Sequence, residues 1–171
     1  MPHAIGISIH TGWGACVVTD GSLRKPQIVH NKVIELLEGA ERFCFHRAAE
    51  MQPALVKKWL AGLREKALAQ ARNELAPLLG DVSIGAIVAR DGILPDLQSI
   101  LATHMRIHSA EGLFYRDVFR EACGVPCHIV SSNSLDIATL GKLATQPPWG
   151  RDQKLAALAA LRLQAVRSTR S

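Results

Sequence analysis

The segment IGISIHTGWGA, residues 5–15, carries the clearest structural signal in the sequence. Its isoleucines alternate with small or polar residues, which is the two-residue period of a strand with one face in the core. Thr11-Gly12 then marks a tight turn, and residues 15–18 resume an apolar run. The segment therefore predicts a β-hairpin near the start of the chain.

Outward from this hairpin, strand-like and helical patterns alternate. A third strand rich in β-branched residues is predicted over residues 27–37, and helical periodicity follows over 45–79, with Pro53 at a kink or a helix start. The later elements are a buried strand over 82–89, helices over 97–123 with a break near Thr103, a fifth strand over 127–131 and a last helix over 152–166. This βββαβαβα order predicts an α/β fold with a five-stranded mixed sheet and helices on both faces.

The composition is typical of one globular domain. The chain has 171 residues, of which 48% are apolar, so we expect a single domain over residues 1–171 with a flexible basic tail from about 167. The start lacks a secretory signal and no apolar run is long enough for a membrane span, which predicts a cytoplasmic protein with no membrane partner. The four cysteines lack zinc-binding spacing. The net charge of +5 permits a nucleic-acid or phosphate partner without requiring one.

The order of elements and two short motifs resemble the ribonuclease H-like superfamily, and RuvC-type resolvases in particular. Residues 5–15 are similar to the first hairpin of those resolvases, which is entered as Gly-Ile-Asp and left through a Thr-Gly-aromatic-Gly segment. Gly141-Lys142 and the segment WGRDQK, residues 149–154, resemble the approach to the last resolvase helix, where the final acidic ligands lie.

A second resemblance covers the whole length. The chain is similar to a family of bacterial proteins with Ser/Thr-Gly-Trp, aromatic-His-x-Ala, Ile-His-x-Ala-Glu-Gly and Pro-Trp-x-x-Asp-Gln-Lys segments. This resemblance brings no activity with it.

The resemblance to resolvases implies two Mg²⁺ ions held by carboxylates of the first strand, the fourth strand and the last helix, for phosphodiester hydrolysis. Here Ser8 stands at the first-strand aspartate position, Asp91 lies slightly beyond the end of the fourth strand, and Asp152 matches the last ligand. Because two Mg²⁺ ions need hard oxygen ligands, their coordination without the first-strand carboxylate would be poor. We therefore do not expect a conventional RuvC-type resolvase.

The histidines offer a different metal site. Four side chains fall on one helix stripe, within roughly 60° of each other: His104, His108, Glu111 and Tyr115. His46 and Glu50 form a second pair four residues apart. Imidazole with carboxylate suits Zn²⁺, Mn²⁺ or Fe²⁺ better than Mg²⁺. The alternative is that these pairs are structural and hold no metal.

The leading hypothesis is a divalent-metal-dependent phosphodiester hydrolase or nuclease that acts on nucleic acid, with Mg²⁺, Mn²⁺ or Zn²⁺ in one shared polar pocket. The predicted metal ligands are His46, Glu50, His108, Glu111 and Asp152. The predicted catalytic residues are Glu111 and Asp152 as proton acceptors and Lys154 as the cation that stabilises charge on phosphate. The predicted substrate-binding residues are His10, Trp13, Trp149 and Arg151.

Two other interpretations stay open. The first is a non-catalytic nucleic-acid- or protein-binding module that has lost the first-strand aspartate, which Ser8 favours. The second is a structural homodimer, because the last helix carries an apolar arc wider than one sheet contact requires. For Gly12-Trp13-Gly14, a hairpin turn with Trp13 packed over the sheet edge is favoured over a phosphate-cradling turn like that of actin-like ATPases.

Overall fold

Five strands form one mixed sheet in the computed structural model, which describes residues 2–141, 143 and 145–168, with side chains up to residue 166. They are β1 (His3–His10), β2 (Trp13–Ser22), β3 (Lys25–Glu35), β4 (Val82–Val88) and β5 (Cys127–Val130). The sheet order is β3-β2-β1-β4-β5, with the first three strands antiparallel and both β4 and β5 parallel to β1. Lys142 of the predicted approach to the last helix, and the end of the predicted basic tail, lie outside the described residues.

Helices connect and cover these strands. They are α1 (Cys44–Ala49), α2 (Pro53–Leu75), α3 (Leu97–Leu101), α4 (His104–Cys123) and α5 (Arg151–Ser168). Pro53 begins α2, and Thr103 separates α3 from α4 by accepting a hydrogen bond from the Arg106 amide. Gly124 ends α4 with a φ of 62°, a left-handed conformation that favours glycine. The predicted element order is confirmed.

The helices form two layers because residues of β1 alternate between the two faces of the sheet. Ile5 and Ile7 point into the larger core, which they share with residues of α1, α2, α3 and α4. The opposite face carries Val17, Ala86 and Val88, and α5 packs against it. Residues of β1 with even numbers therefore face α5, and those with odd numbers face α4.

The backbone of α5 lies very close to the backbone of β1. A Cβ atom placed on Gly6 would lie only 1.8 Å from the carbonyl oxygen of Ala156. Two residues along a strand span about 6.6 Å, and four residues along a helix span about 6 Å. The next contact toward the end of β1 is therefore between Ser8 and Asp152, so the glycine sets the position of the first turn of α5.

The apolar residues of α5 pack against the sheet. Leu155, Leu158 and Leu161 are each at most 3% exposed and belong to the cluster beneath the helix. The sheet thus covers most of the arc that suggested a homodimer, and the homodimer stays a prediction, as does the single domain. None of the described helices has the length and apolar character needed to cross a bilayer.

We predict that Gly6→Ala lowers the free energy of unfolding by about 3 kcal/mol or more, because the new methyl group forces α5 away from β1. Gly62→Ala is the matched control, since Gly62 is exposed in α2 and has no atom within 4 Å of an added Cβ. Its higher helix propensity predicts a gain of up to about 1 kcal/mol. Urea denaturation measures both variants, and equal effects would contradict the close approach.

Candidate functional sites

Ser8, His10 and Asp152 meet where β1 ends beside the first turn of α5. The Ser8 hydroxyl donates to Asp152 Oδ1 at 3.1 Å, and His10 Nε2 lies 2.8 Å from the same oxygen. Because an ionised carboxylate only accepts, His10 donates through Nε2. Ser8 is buried, whereas the side chains of His10 and Asp152 are 40% and 29% exposed. With Trp13, these residues form what we call the hairpin site.

Trp13 joins this site through the register of the first hairpin. His10 and Trp13 are cross-strand partners on either side of the two-residue turn, and their rings stack with centroids 4.1 Å apart and planes 6° from parallel. Gly12 allows the turn with a φ of 86°, and a Cβ there would lie 2.7 Å from Arg42 Cβ. Trp13 thus stacks on His10, and its packing over the sheet edge stays a prediction.

The loop before α5 is tied to β3. The Asn31 side-chain amide donates to the carbonyl oxygens of Gln146 and Pro148. Trp149, predicted to bind substrate, is half-buried and packs against the apolar cluster beneath α5. These contacts hold the approach to the helix against the sheet.

Arg151 and Lys154 flank Asp152 on the first turn of α5. Arg151 is exposed and Lys154 is half-buried. Within the described part of the chain, neither side chain forms an ion pair. Both cations are therefore available to an anionic ligand beside the hairpin site.

The hairpin site does not fit the two-Mg²⁺ centre that the resolvase resemblance implies. Ser8 replaces the first-strand carboxylate, and its partner on β4 is Val88. Asp91, the acidic residue beyond β4, is exposed and accepts a hydrogen bond from the amide of Gly92 at 2.8 Å. Asp152 is thus the single carboxylate that the structure brings to Ser8, and two hard cations need several oxygen ligands.

Three histidines converge in the other helix layer. His46 from α1 and His104 and His108 from α4 each offer a ligand nitrogen, and these atoms lie within 4.8 Å of one another. The Nε2 atoms of His104 and His108 are 2.9 Å apart, since residues four apart share one helix face. The His46 ring lies 4.9 Å from the ring of His104 and 4.5 Å from that of His108, between centroids. We call this group the histidine centre.

Glu111 lies behind the histidine centre, one helical turn after His108. Its side chain has 0% exposure, and Oε1 accepts hydrogen bonds from His46 Nδ1 at 2.8 Å and from the His46 amide at 3.3 Å. In the described part of the chain, Oε2 has no hydrogen-bond partner. Glu111 therefore contacts the centre through His46.

Two weak acids near Glu111 stay protonated. Burial, with a smaller contribution from the charge of Glu111, raises the pKa of the Cys44 thiol to about 12. Since the thiolate is the form that binds metals, Cys44 is a poor ligand. Burial and then the nearby Cys44 and Glu111 raise the pKa of Tyr115, whose hydroxyl donates to the Arg42 carbonyl oxygen at 2.6 Å.

The predicted shared pocket divides into two groups. Asp152 and His10 lie on the α5 face of β1, whereas His46, His108 and Glu111 belong to the helix layer that packs on the opposite face. The alternation of β1 separates them, and no hydrogen bond or ion pair among the described residues joins the two groups.

The structure differs from the predicted ligand set at Glu50, at His104 and at Asp152, which lies with Ser8 and His10. Glu50 follows the end of α1, forms an ion pair with Arg47 at 3.0 Å and is 69% exposed, so the structure does not bring it to His46. His104, absent from the predicted ligand set, completes the centre in its place. Its spacing of four residues from His108 was the sequence signal for it.

Comparisons with known proteins identify the fold. No protein-family model matches the chain, and no curated protein matches it. Among solved structures, the chain is similar to Thermus thermophilus RuvC in complex with a Holliday junction substrate, with a TM-score of 0.54 and 16% identity over 99% of this chain and 98% of that one. A second T. thermophilus RuvC structure gives 0.48 and 15%, over 98% and 96%. The chain thus has the ribonuclease H-like fold, as the sequence predicts.

We predict that Asp152→Ala lowers the free energy of unfolding by about 1–3 kcal/mol, because it leaves the buried Ser8 hydroxyl without an acceptor. Adding Ser8→Ala should recover part of this loss, with a coupling energy of about 0.5 kcal/mol or more. Asp91→Ala, which removes an exposed carboxylate, should change stability by no more than about 0.5 kcal/mol. Additive effects in the double-mutant cycle would contradict the Ser8–Asp152 contact.

Proposed function

We propose that the chain is a divalent-metal-dependent hydrolase of phosphodiester bonds in nucleic acid. The metal is held by His46, His104 and His108. The observation that carries this proposal is the convergence of three imidazole nitrogens from two helices within 4.8 Å. The ribonuclease H-like fold and the net charge of +5 support a nucleic-acid substrate.

Three protein ligands leave a coordination position open. A divalent ion bound by the three histidines would supply Lewis-acid chemistry: it would lower the pKa of a water at the open position and polarise a phosphoryl oxygen. His104 and His108 are exposed, so a polymer can approach the centre from solvent. His46 forms the inner wall, held by Glu111. Because Glu111 is fully buried behind His46, we assign the three histidines as the metal ligands and do not assign the Glu111 carboxylate.

The hairpin site is proposed to bind the substrate backbone. Arg151 and Lys154 lie on the first turn of α5, and helix N-termini add a favourable field for phosphate. The stacked His10–Trp13 pair presents an aromatic platform of the type that single-stranded nucleic acid uses for base stacking. In this proposal Lys154 contacts phosphate, and Asp152 orients His10.

A structural link supports use of both sites by one strand of nucleic acid. The Gly12 turn of the hairpin packs against Arg42, and the Arg42 carbonyl accepts from Tyr115, one turn beyond Glu111 on α4. The hairpin turn and α4, the helix that carries His104 and His108, therefore both contact Arg42. A strand that crosses Arg42 would reach phosphate contacts at α5 and the histidine centre at α4.

A second candidate is a nucleic-acid-binding module without catalysis. It is favoured by the hydrogen bonds that Ser8 and His10 both make to Oδ1 of Asp152, since these protein groups bind an oxygen that a metal would otherwise use. The two candidates differ in one outcome, because only the hydrolase cleaves nucleic acid when metal is supplied.

We predict about one Zn²⁺, Mn²⁺ or Co²⁺ ion per chain in tag-free protein after incubation and desalting, and metal-dependent cleavage of labelled single-stranded, duplex or branched nucleic acid. His46→Ala and His108→Ala should lose both the ion and the cleavage. His128→Ala is the control, since His128 is exposed on β5. Elemental analysis and gel assays measure these outcomes.

Two results would contradict this proposal. If the wild-type protein holds no ion, the histidine centre is not a metal site. If the ion binds and nucleic acid is bound but never cut, the binding module replaces the hydrolase.

We also predict that Arg151→Ala and Lys154→Ala weaken binding of single-stranded DNA and each reduce the slope of log K against log salt concentration by about 0.7. Lys58→Ala is the matched control, since Lys58 is exposed on α2, in the other helix layer. Fluorescence anisotropy at several salt concentrations measures both quantities. If Arg151→Ala and Lys154→Ala have the same slope as Lys58→Ala, the nucleic acid does not bind at the first turn of α5.

A further inference from the structure

Among the acidic side chains that the structure describes, Glu111 is the one that is completely buried. Among the described residues its single ion-pair partner is His46, and no Lys or Arg side chain there forms an ion pair with it. A carboxylate with one oxygen unpartnered is expensive to bury unless a positive charge compensates it. A divalent ion bound beyond the His46 ring would supply that charge.

The hydrogen bond to Glu111 also sets the state of His46. When the neutral ring donates to Oε1 through Nδ1, its lone pair lies on Nε2, which is the form that binds a metal. The backbone amide of His46 donates to the same oxygen, which fixes the start of the side chain as well. His104 and His108 approach the His46 ring from α4. Nε2 is thus presented as a ligand where the other two imidazoles converge.

We infer that Glu111 is a positioning residue that fixes the tautomer of His46 and makes the histidine centre a site for a borderline transition metal of the Zn²⁺ class. This inference rests on the proposed function, because it concerns the same centre. It replaces the predicted roles of Glu111 as metal ligand and proton acceptor. A carboxylate that holds a ligating imidazole raises the basicity of that ligand and restricts its orientation.

The donor set determines the metal class. Three imidazole nitrogens suit Zn²⁺, Co²⁺ or Ni²⁺, whereas Mg²⁺ and Ca²⁺ require oxygen ligands. Both oxygens of Glu111 are buried behind His46, so they add no oxygen ligand on the solvent side. The negative charge of Glu111 lies one imidazole ring away from the three nitrogens. It therefore favours binding of a divalent cation there over an empty site. The centre should therefore bind Zn²⁺ in the presence of excess Mg²⁺.

The variant Glu111→Gln tests this role, because it keeps the shape of the side chain and removes its charge. We expect Zn²⁺ affinity, measured by competition with a chromophoric chelator, to fall about 10- to 100-fold. The melting temperature of the metal-free protein should stay the same or rise, since an uncompensated buried charge is removed. Co²⁺ at saturation should give the same visible absorption spectrum in both proteins, because Glu111 is not a ligand.

Glu121→Gln is the matched control. Glu121 lies on the same helix but is exposed and pairs with Arg64 and Arg72. Its loss should leave Zn²⁺ affinity unchanged.

The outcomes separate this inference from the proposed function. Unchanged Zn²⁺ affinity in Glu111→Gln, with a lower melting temperature, would overturn the inference and make Glu111 purely structural. A changed Co²⁺ spectrum would also overturn it by making Glu111 a ligand. A wild-type protein that binds no Zn²⁺ would overturn the metal centre itself, whereas one that binds Zn²⁺ but cuts no nucleic acid would remove only the hydrolase.

Discussion

The contact between the bare backbone of Gly6 and the carbonyl of Ala156 is the constraint on which the rest of the structure depends. It leaves no space for a side chain between β1 and α5, so the helix lies against the strand at a fixed distance and register. One helical turn earlier, the same register brings Asp152 to Ser8 and His10. The polar group at the end of β1 is thus a geometric consequence of apolar packing further along the same pair of elements.

The sheet then divides the polar residues between two faces. On the α5 face, the position that holds a carboxylate in the resolvase pattern holds Ser8, and hydrogen bonds occupy the remaining carboxylate. On the opposite face, α1 and α4 bring three imidazoles together in front of the buried carboxylate of Glu111. The resolvase pattern uses oxygen ligands that include one on the sheet, whereas the metal site proposed for this chain uses nitrogen ligands on the helices of the same fold.

Much of the fold could be predicted from the sequence, because strand alternation, helix periodicity and helix-ending residues are local signals. Contacts within one helix were predictable for the same reason, as the spacing of His104 and His108 shows. Contacts between elements were predicted only in part: His10 does meet Asp152, and His46 does meet Glu111, but in two separate groups. Spacing along the chain does not state which face of the sheet a helix covers, so Asp152 and Glu111 were assigned to one pocket. Nor did it show that α1 ends before Glu50, which removes the expected helical pair with His46.

A crystal of the protein soaked in Zn²⁺, with diffraction recorded on both sides of the zinc absorption edge, would locate the bound ion. We predict one strong anomalous peak bonded to nitrogens of His46, His104 and His108 at about 2.0–2.1 Å, with Glu111 bonded to the His46 ring and not to the ion. A peak at Asp152 instead, or none between the three histidines, would contradict this prediction.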